Sequence, residues 1–272
     1  MRIFLQAGFG IPIGAETLDL IQALGFAGIR QGIDGLPSVV DQVLGEFRGR
    51  PLGALLTVGV DGVDPATVVH RAAYAAREAQ RLRLPDFAIE VGNEPDASQS
   101  YRGLPLAWGH LVRQVAEALP GVHVVSGGIT STSVQGLNYL RSALAEIPSS
   151  VTIGIHTYRS GPPDKPLPGY LTRGEEFTVL RGMVGARRVW CTEVGWSDFE
   201  KHGGLIPAWC GRRLSPSEVA ANLRREFELC AAAGCEVGVV FQLNDGLGRD
   251  EHFGIRWIDG NLKPSALVAQ EE

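Results

Sequence analysis

Residues Asp64 to Asp96 read DPATVVHRAAYAAREAQRLRLPDFAIEVGNEPD, and the fold follows from how the two halves of this stretch are understood. In the first half Val68, Ala72, Ala75, Ala76 and Ala79 recur at intervals of three and four, which places them along one face of an α-helix. In the second half Phe87 to Val91 is a short run, apolar except at Glu90, with the texture of a strand covered on both faces. A helix running straight into a covered strand is half of a βαβ unit, and such units build parallel sheets.

The same alternation continues in both directions. Strand-like runs begin at Arg2 (RIFLQAGF), Gly28 (GIRQGI), Leu52 (LGALLTVG), Phe87 (FAIEVGNE), His123 (HVVSGGIT), Val151 (VTIGIHTY), Arg188 (RVWCTEVGW) and Val237 (VGVVFQLND). Helical segments lie between them. In SPSEVAANLRREFELC, Val219, Leu223, Phe227 and Cys230 share a face, Ser215 and Glu218 form a capping box, and Pro216 suits the first helical position. Only LPSVVDQVLGEFRGR, a short or irregular helix, separates the second and third strands. Eight strand–helix units predict a single (β/α)₈ barrel spanning residues 1–272, a normal length for that architecture. An open doubly wound sheet is the runner-up, but no GxGxxG or GxxxxGK[ST] motif follows any strand.

Composition narrows the function. Hydrophobic residues make up 44% and charged residues 20%, as in a soluble globular protein, and the net charge of −5 argues against nucleic acid or an anionic membrane as partner. No run approaches the roughly 18 apolar residues of a membrane span. MRIFLQAGFG reads as a first strand rather than a signal peptide, so a cytoplasmic location is expected. Cys191, Cys210, Cys230 and Cys235 fit no common zinc spacing and read as free thiols.

In (β/α)₈ barrels catalytic residues sit at the C-terminal ends of the strands. Those ends carry Arg30 and Gln31 on the second strand, Asn93-Glu94-Pro95 on the fourth and His156-Thr157-Tyr158 on the sixth. The seventh ends in Thr192-Glu193-Val194-Gly195-Trp196, and the eighth runs into Gln242, Asn244 and Asp245. Two glutamates, Glu94 and Glu193, therefore converge on one rim, and paired carboxylates suit cleavage of glycosidic bonds. The remaining acids of the opening stretch read differently. Glu90 shares strand parity with Glu94 about 13 Å deeper, which suits a paired structural carboxylate, while Asp96 beyond Pro95 suits a loop cap. His156 has no second ligand at metal spacing, so it is expected to hydrogen-bond substrate.

VGNEP, HTY and CTEVGW resemble the clan A glycoside hydrolases, and EHFGIRWIDGNLKPSA is similar to the closing segment of family 39 and family 5 type enzymes. The resemblance runs from Arg30 to Ser265. It implies a retaining O-glycoside hydrolase on a TIM barrel, with no metal or organic cofactor, acting on an oligosaccharide, polysaccharide or glycoconjugate. By the same resemblance Glu94 is the acid/base and Glu193 the nucleophile. Asn93 is implied to bind the sugar 2-hydroxyl, Tyr158 to orient Glu193, and Arg30 to keep Glu193 charged. Trp196 is a sugar-stacking candidate. One departure stands out, since many clan A enzymes end strand eight with a Trp under the sugar, where this chain offers Phe241 or Gln242. The long insertion SDFEKHGGLIPAWCGRRL after strand seven is expected to shape substrate binding. Two rivals are a non-catalytic carbohydrate-binding barrel and a metal-dependent sugar isomerase or phosphodiesterase on the same fold, the latter needing at least three converging ligands.

Overall fold

The computed structural model describes residues 1–9, 13–33, 37–158, 163–165, 171–196, 214–245, 253–257 and 259–270. The insertion after strand seven, apart from its last residue Leu214, lies outside them, with Trp209, Cys210 and His202, as does His252. Among the described residues eight strands alternate with seven α-helices. They run β1 (Arg2–Phe9), α1 (Ala15–Ala23), β2 (Gly28–Ile33), α2 (Pro37–Glu46), β3 (Gly53–Val58), α3 (Pro65–Arg81), β4 (Phe87–Val91) and α4 (Pro105–Ala118). The second half is β5 (His123–Ser126), α5 (Val134–Ala143), β6 (Ile153–Tyr158), α6 (Arg173–Val184), β7 (Val189–Gly195), α7 (Pro216–Ala232) and β8 (Val237–Val240). No helix among the described residues is long and apolar enough to cross a membrane.

All strand pairs are parallel, in the order β5-β4-β3-β2-β1-β8-β7-β6. The ends of that order meet. Bridges Val125–Thr152 and Ile129–Ile155, with the Ser126 amide donating to the Thr152 carbonyl at 2.8 Å and the His156 amide to the Ile129 carbonyl at 3.0 Å, close the sheet into a barrel. Closure removes the two exposed edges that an open sheet would leave unpaired.

Two apolar layers form. The outer one packs helices on the sheet, and the five small and branched residues of α3 named above are its buried face. Inside the barrel Phe4, Leu55, Ala88, Val125, Trp190, Val237 and Val239 fill the lower half. Capping follows local chemistry. Ser215 and Glu218 form the expected box at the start of α7, and Thr172 with Glu175 forms a second one at the start of α6. With the lower half plugged by hydrocarbon, polar side chains that point inward gather in the layer above.

Candidate functional site

Arg30 is the centre of that upper layer. Its side chain is fully buried, and its guanidinium fans out to four acceptors: Glu90 Oε2 at 2.6 Å, Gln6 Oε1 at 2.8 Å, Glu193 Oε1 at 2.6 Å and Asn93 Oδ1 at 2.7 Å. A buried cation demands such pairing. Burial alone would pull its pKa down, but Glu90 and Glu193 outweigh that and raise it. Thr57 donates to the same Glu90 oxygen at 2.6 Å. Glu90 is thus the paired carboxylate that its strand position suggests, but not one set 13 Å below the rim. One guanidinium touches both it and Asn93. The reason is that β4 ends at Val91, and the chain then bends through Gly92 at φ 77° and Glu94 at φ 47° instead of climbing further.

That bend sets Glu94. A positive φ is uncommon for a residue with a side chain, and such conformations persist where surrounding contacts over-determine them. Here the Glu94 amide donates to the Gly128 carbonyl at 2.9 Å, and the Glu94 carbonyl accepts from the amides of Ala97 and Ser98. Asp96 ties the turn to the loop after β5, accepting the Thr130 amide at 2.9 Å and the Thr130 hydroxyl, so it caps the loop as expected.

Glu193 reaches the interior by a different device. Along β7, Trp190 points into the barrel and Cys191 out toward the helices. Simple alternation would place Thr192 inside and Glu193 outside. The β6–β7 register instead shifts between Ile155–Cys191 and His156–Glu193, so one extra residue on β7 is accommodated there. This bulge turns both Thr192 and Glu193 inward, the re-aiming that bulges provide beside functional sites. It also reverses the parity beyond, sending Val194 and Trp196 into the outer layer. Trp196 is 2% exposed within that core. Buried among the helices, it offers no face to a sugar, and the stacking role expected for it is corrected accordingly.

Tyr158 and His156, on alternate positions of β6, complete the cluster. The Tyr158 hydroxyl donates to Glu193 Oε2. His156 Nδ1 lies 3.0 Å from Glu94 Oε1 and 3.4 Å from Glu193 Oε2, standing between the two carboxylates. Its ring contact is therefore with both glutamates. The ring also packs against the loop after β5, where a Cβ added at Gly128 would come within 2.4 Å of His156 Nε2 and 2.6 Å of Thr192 Oγ1. Only glycine fits there. Burial favours neutral imidazole, but the charge of Glu193 and the hydrogen bond to Glu94 win, raising the His156 pKa above its ordinary value. Burial likewise acts to raise the Glu94 carboxyl, yet the hydrogen bond and charge of His156, with Arg30, hold it below the usual carboxylate range. Burial and then Glu193 push the Tyr158 phenol well above its ordinary value, so it stays a donor.

Oxygens of Glu94 and Glu193 and a nitrogen of His156 all lie within 4.8 Å of one another. Access differs between the two acids, with the Glu94 side chain 33% exposed and that of Glu193 only 4%. On the β8 side the rings of Phe241, Tyr158 and Phe253 meet edge to face at 5.6–5.8 Å between centroids. Phe241 follows the inward parity of Val237 and Val239, whereas among the described contacts Gln242 is engaged through its backbone, with Phe253 and Ile255. Phe241, not Gln242, is the side chain that joins the cluster. Sequence reading overlooked Gln6, Thr57 and Gly128. Strand parity points Gln6 and Thr57 inward, and that signal was available, but Gly128 matters only through the ring packed on it.

No protein-family model matches the sequence, and no curated protein matches it. Solved structures do. The chain is similar to a family 39 glycoside hydrolase from the gut symbiont Bacteroides cellulosilyticus WH2, with TM-score 0.72 and 18% identity over 99% of this chain and 63% of that one. It is similar to a GH5-4 broad specificity endoglucanase from Clostridium acetobutylicum, with TM-score 0.66 and 13% identity over 99% of this chain and 96% of that one. It is also similar to Thermotoga maritima Cel5A, solved in complex with mannotriose, with TM-score 0.64 and 14% identity over 98% of this chain and 96% of that one. The chain spans 63% of the length of the family 39 structure. At these identities the likeness concerns architecture, and the architecture is the (β/α)₈ barrel that these glycoside hydrolases carry.

Proposed function

We propose that the chain is a retaining O-glycoside hydrolase acting on an oligosaccharide, polysaccharide or glycoconjugate, with Glu193 as nucleophile and Glu94 as acid/base. The observation that carries this reading is the approach of the two carboxylates to within 4.8 Å, oxygen to oxygen. Retaining enzymes hold their carboxyl groups about 5–5.5 Å apart, while inverting enzymes need about 6.5–9.5 Å to admit a water. In the first step an oxygen of Glu193 attacks the anomeric carbon as the bond to the leaving oxygen breaks, and Glu94 supplies that oxygen with a proton. In the second step water attacks the same carbon, Glu94 accepts the proton of the water, and the ester bond to Glu193 breaks. The recessed Glu193, charge-paired with Arg30 and held by Tyr158, is positioned to attack. The more open Glu94 is positioned to meet the leaving group and then water. Asn93, fixed by Arg30, faces the same space and suits a sugar hydroxyl.

Intact-mass analysis with a panel of 2-fluoroglycosides tests this reading. One glycone should leave a covalent adduct that maps to Glu193 and disappears in Glu193→Gln. Absence of any adduct, with aryl glycoside turnover equal in wild type and Glu193→Gln, would support the non-catalytic carbohydrate-binding alternative instead.

One observation favours a second reading, since Glu94, His156 and Glu193 could together ligate a metal ion. Their partners weigh against it. Both Glu193 oxygens are already bonded, one by Tyr158 and the other by a buried guanidinium 2.6 Å away that repels cations. Activity that survives EDTA is expected, and loss that added divalent ions restore would favour the metal reading.

His156 makes the proposal pH-sensitive. The acid proton is shared between His156 Nδ1 and Glu94 Oε1, and His156, with its pKa raised, retains it to higher pH than an ordinary imidazole does. The alkaline limb of kcat/KM therefore follows the pair rather than Glu94 alone. In His156→Gln the only remaining site for that proton is a carboxyl group, so the limb should move to lower pH. Activity at neutral pH on a poor leaving group should fall roughly 10²-fold or more, the scale of a lost general acid. An alkaline limb that stays in place would show that His156 does not share the proton.

A further inference from the structure

Three cysteines far apart in sequence meet between the barrel wall and its helices. Cys191 points outward from β7, Cys230 lies on the buried face of α7, and Cys235 follows the turn into β8. The Sγ of Cys191 lies 3.1 Å from that of Cys230 and 3.8 Å from that of Cys235, and all three sulfurs fall within 4.8 Å of one another. Each residue is buried. The α7 terminus explains how two of them come together. The Cys235 amide donates to the Cys230 carbonyl and the Gly234 amide to the Ala231 carbonyl, both at 2.9 Å, which is the Schellman pattern. That motif brings the side chains of its first and last residues into contact, usually as hydrocarbon. Here both are thiols, and the strand beneath adds a third.

From this geometry we infer that Cys191, Cys230 and Cys235 form a binding site for a thiophilic d¹⁰ metal ion of the zinc class. A triangle with sides of 3.1 and 3.8 Å and a third of at most 4.8 Å has its equidistant point about 2.4 Å or less from every corner, and zinc–thiolate bonds measure about 2.3 Å. An ion can thus sit among the sulfurs with shifts of a few tenths of an ångström. Charge is provided for as well. Three thiolates around a divalent ion carry one net negative charge, and the Arg181 guanidinium wraps the same turn, donating to the Gly234 carbonyl at 2.6 Å and to the Ala233 carbonyl. The bound ion would staple α7 and the α7–β8 turn to β7, the strand that carries Glu193. The site is separate from the rim chemistry and stands whether or not the chain is a glycosidase.

The test uses the full chain carrying Cys210→Ala, so that only these three thiols remain. Reduced, metal-stripped protein is titrated with Cd²⁺ while the thiolate-to-cadmium charge-transfer absorbance is followed. One Cd²⁺ per chain is expected, with protection of all three thiols from alkylation. Further substitution by Cys191→Ala or Cys235→Ala should weaken binding at least about tenfold. Should those variants fail to fold, X-ray absorption on the Zn²⁺-loaded Cys210→Ala protein keeps the question open to decision, and three sulfur neighbours at about 2.3 Å are expected. Folded, reduced protein that shows no charge-transfer band at saturating Cd²⁺ would overturn the site. So would a Cys191–Cys230 disulfide that persists under strong reductant.

Discussion

Azide should rescue Glu94→Ala and Glu193→Ala with opposite stereochemistry, giving a retained product from the first and an inverted product from the second. Removing Glu94 deletes both the proton for the leaving oxygen and the base for the second step. Aryl glycosides whose leaving group needs no proton should still form the glycosyl-enzyme at close to the normal rate, because acid assistance matters only when the departing oxygen is basic. The intermediate should then accumulate. Azide is small, needs no deprotonation and fits the half-open space left beside His156, so it attacks the ester from the face that water would have used. Glu193→Ala should instead abolish the covalent step for every leaving group, lowering turnover by roughly 10⁶-fold, the scale seen when a covalent nucleophile is removed. Azide entering that recess attacks the substrate directly and inverts it. Inverted product from Glu94→Ala would reverse the two roles.

The sequence carries the strands and helices of this barrel almost completely, because their apolar periods are local. The buried face of α3, the cap of α7 and the eight strand starts all depend on residues a few positions apart. The candidate glutamates stood out for the same reason, since Glu94 comes just past the end of β4 and Glu193 lies near the C-terminal end of β7. What sequence alone did not show depends on departures from regular geometry. The β7 bulge is invisible to a parity count, yet it turns Glu193 inward and consigns Trp196 to the outer core. The bend at Gly92 and Glu94 likewise draws Glu90 up against the rim residues instead of leaving it far below. The cysteine triad lay beyond reach altogether, because no spacing rule relates Cys191 to a helix terminus 39 residues on.

Arg30→Met should be the most destabilising single change in the barrel interior. One guanidinium neutralises two buried carboxylates and also holds Gln6 and Asn93, so its loss strands Glu90 and Glu193 together, both with almost no surface open to solvent. Breaking a buried pair by removing one partner costs about 3–5 kcal/mol, because the remaining charge keeps its desolvation penalty. Against the roughly 5–15 kcal/mol that stabilises an ordinary domain, this approaches the folding threshold. Denaturant titration should show the loss as a lower midpoint with an unchanged slope. The double variant Arg30→Met with Glu90→Leu should recover part of it, since apolar residues in place of a buried ion pair are often neutral or better. That recovery keeps the test decisive even if the single variant does not fold. Arg30→Lys separates charge from geometry. An ammonium can satisfy one carboxylate but cannot reproduce a fork that reaches four acceptors, so stability should fall less than in Arg30→Met while Asn93 and Glu193 lose their fixed positions. Turnover should then drop more steeply than stability does. Arg30→Met within about 1 kcal/mol of wild type would mean that Arg30 is not what holds this layer together.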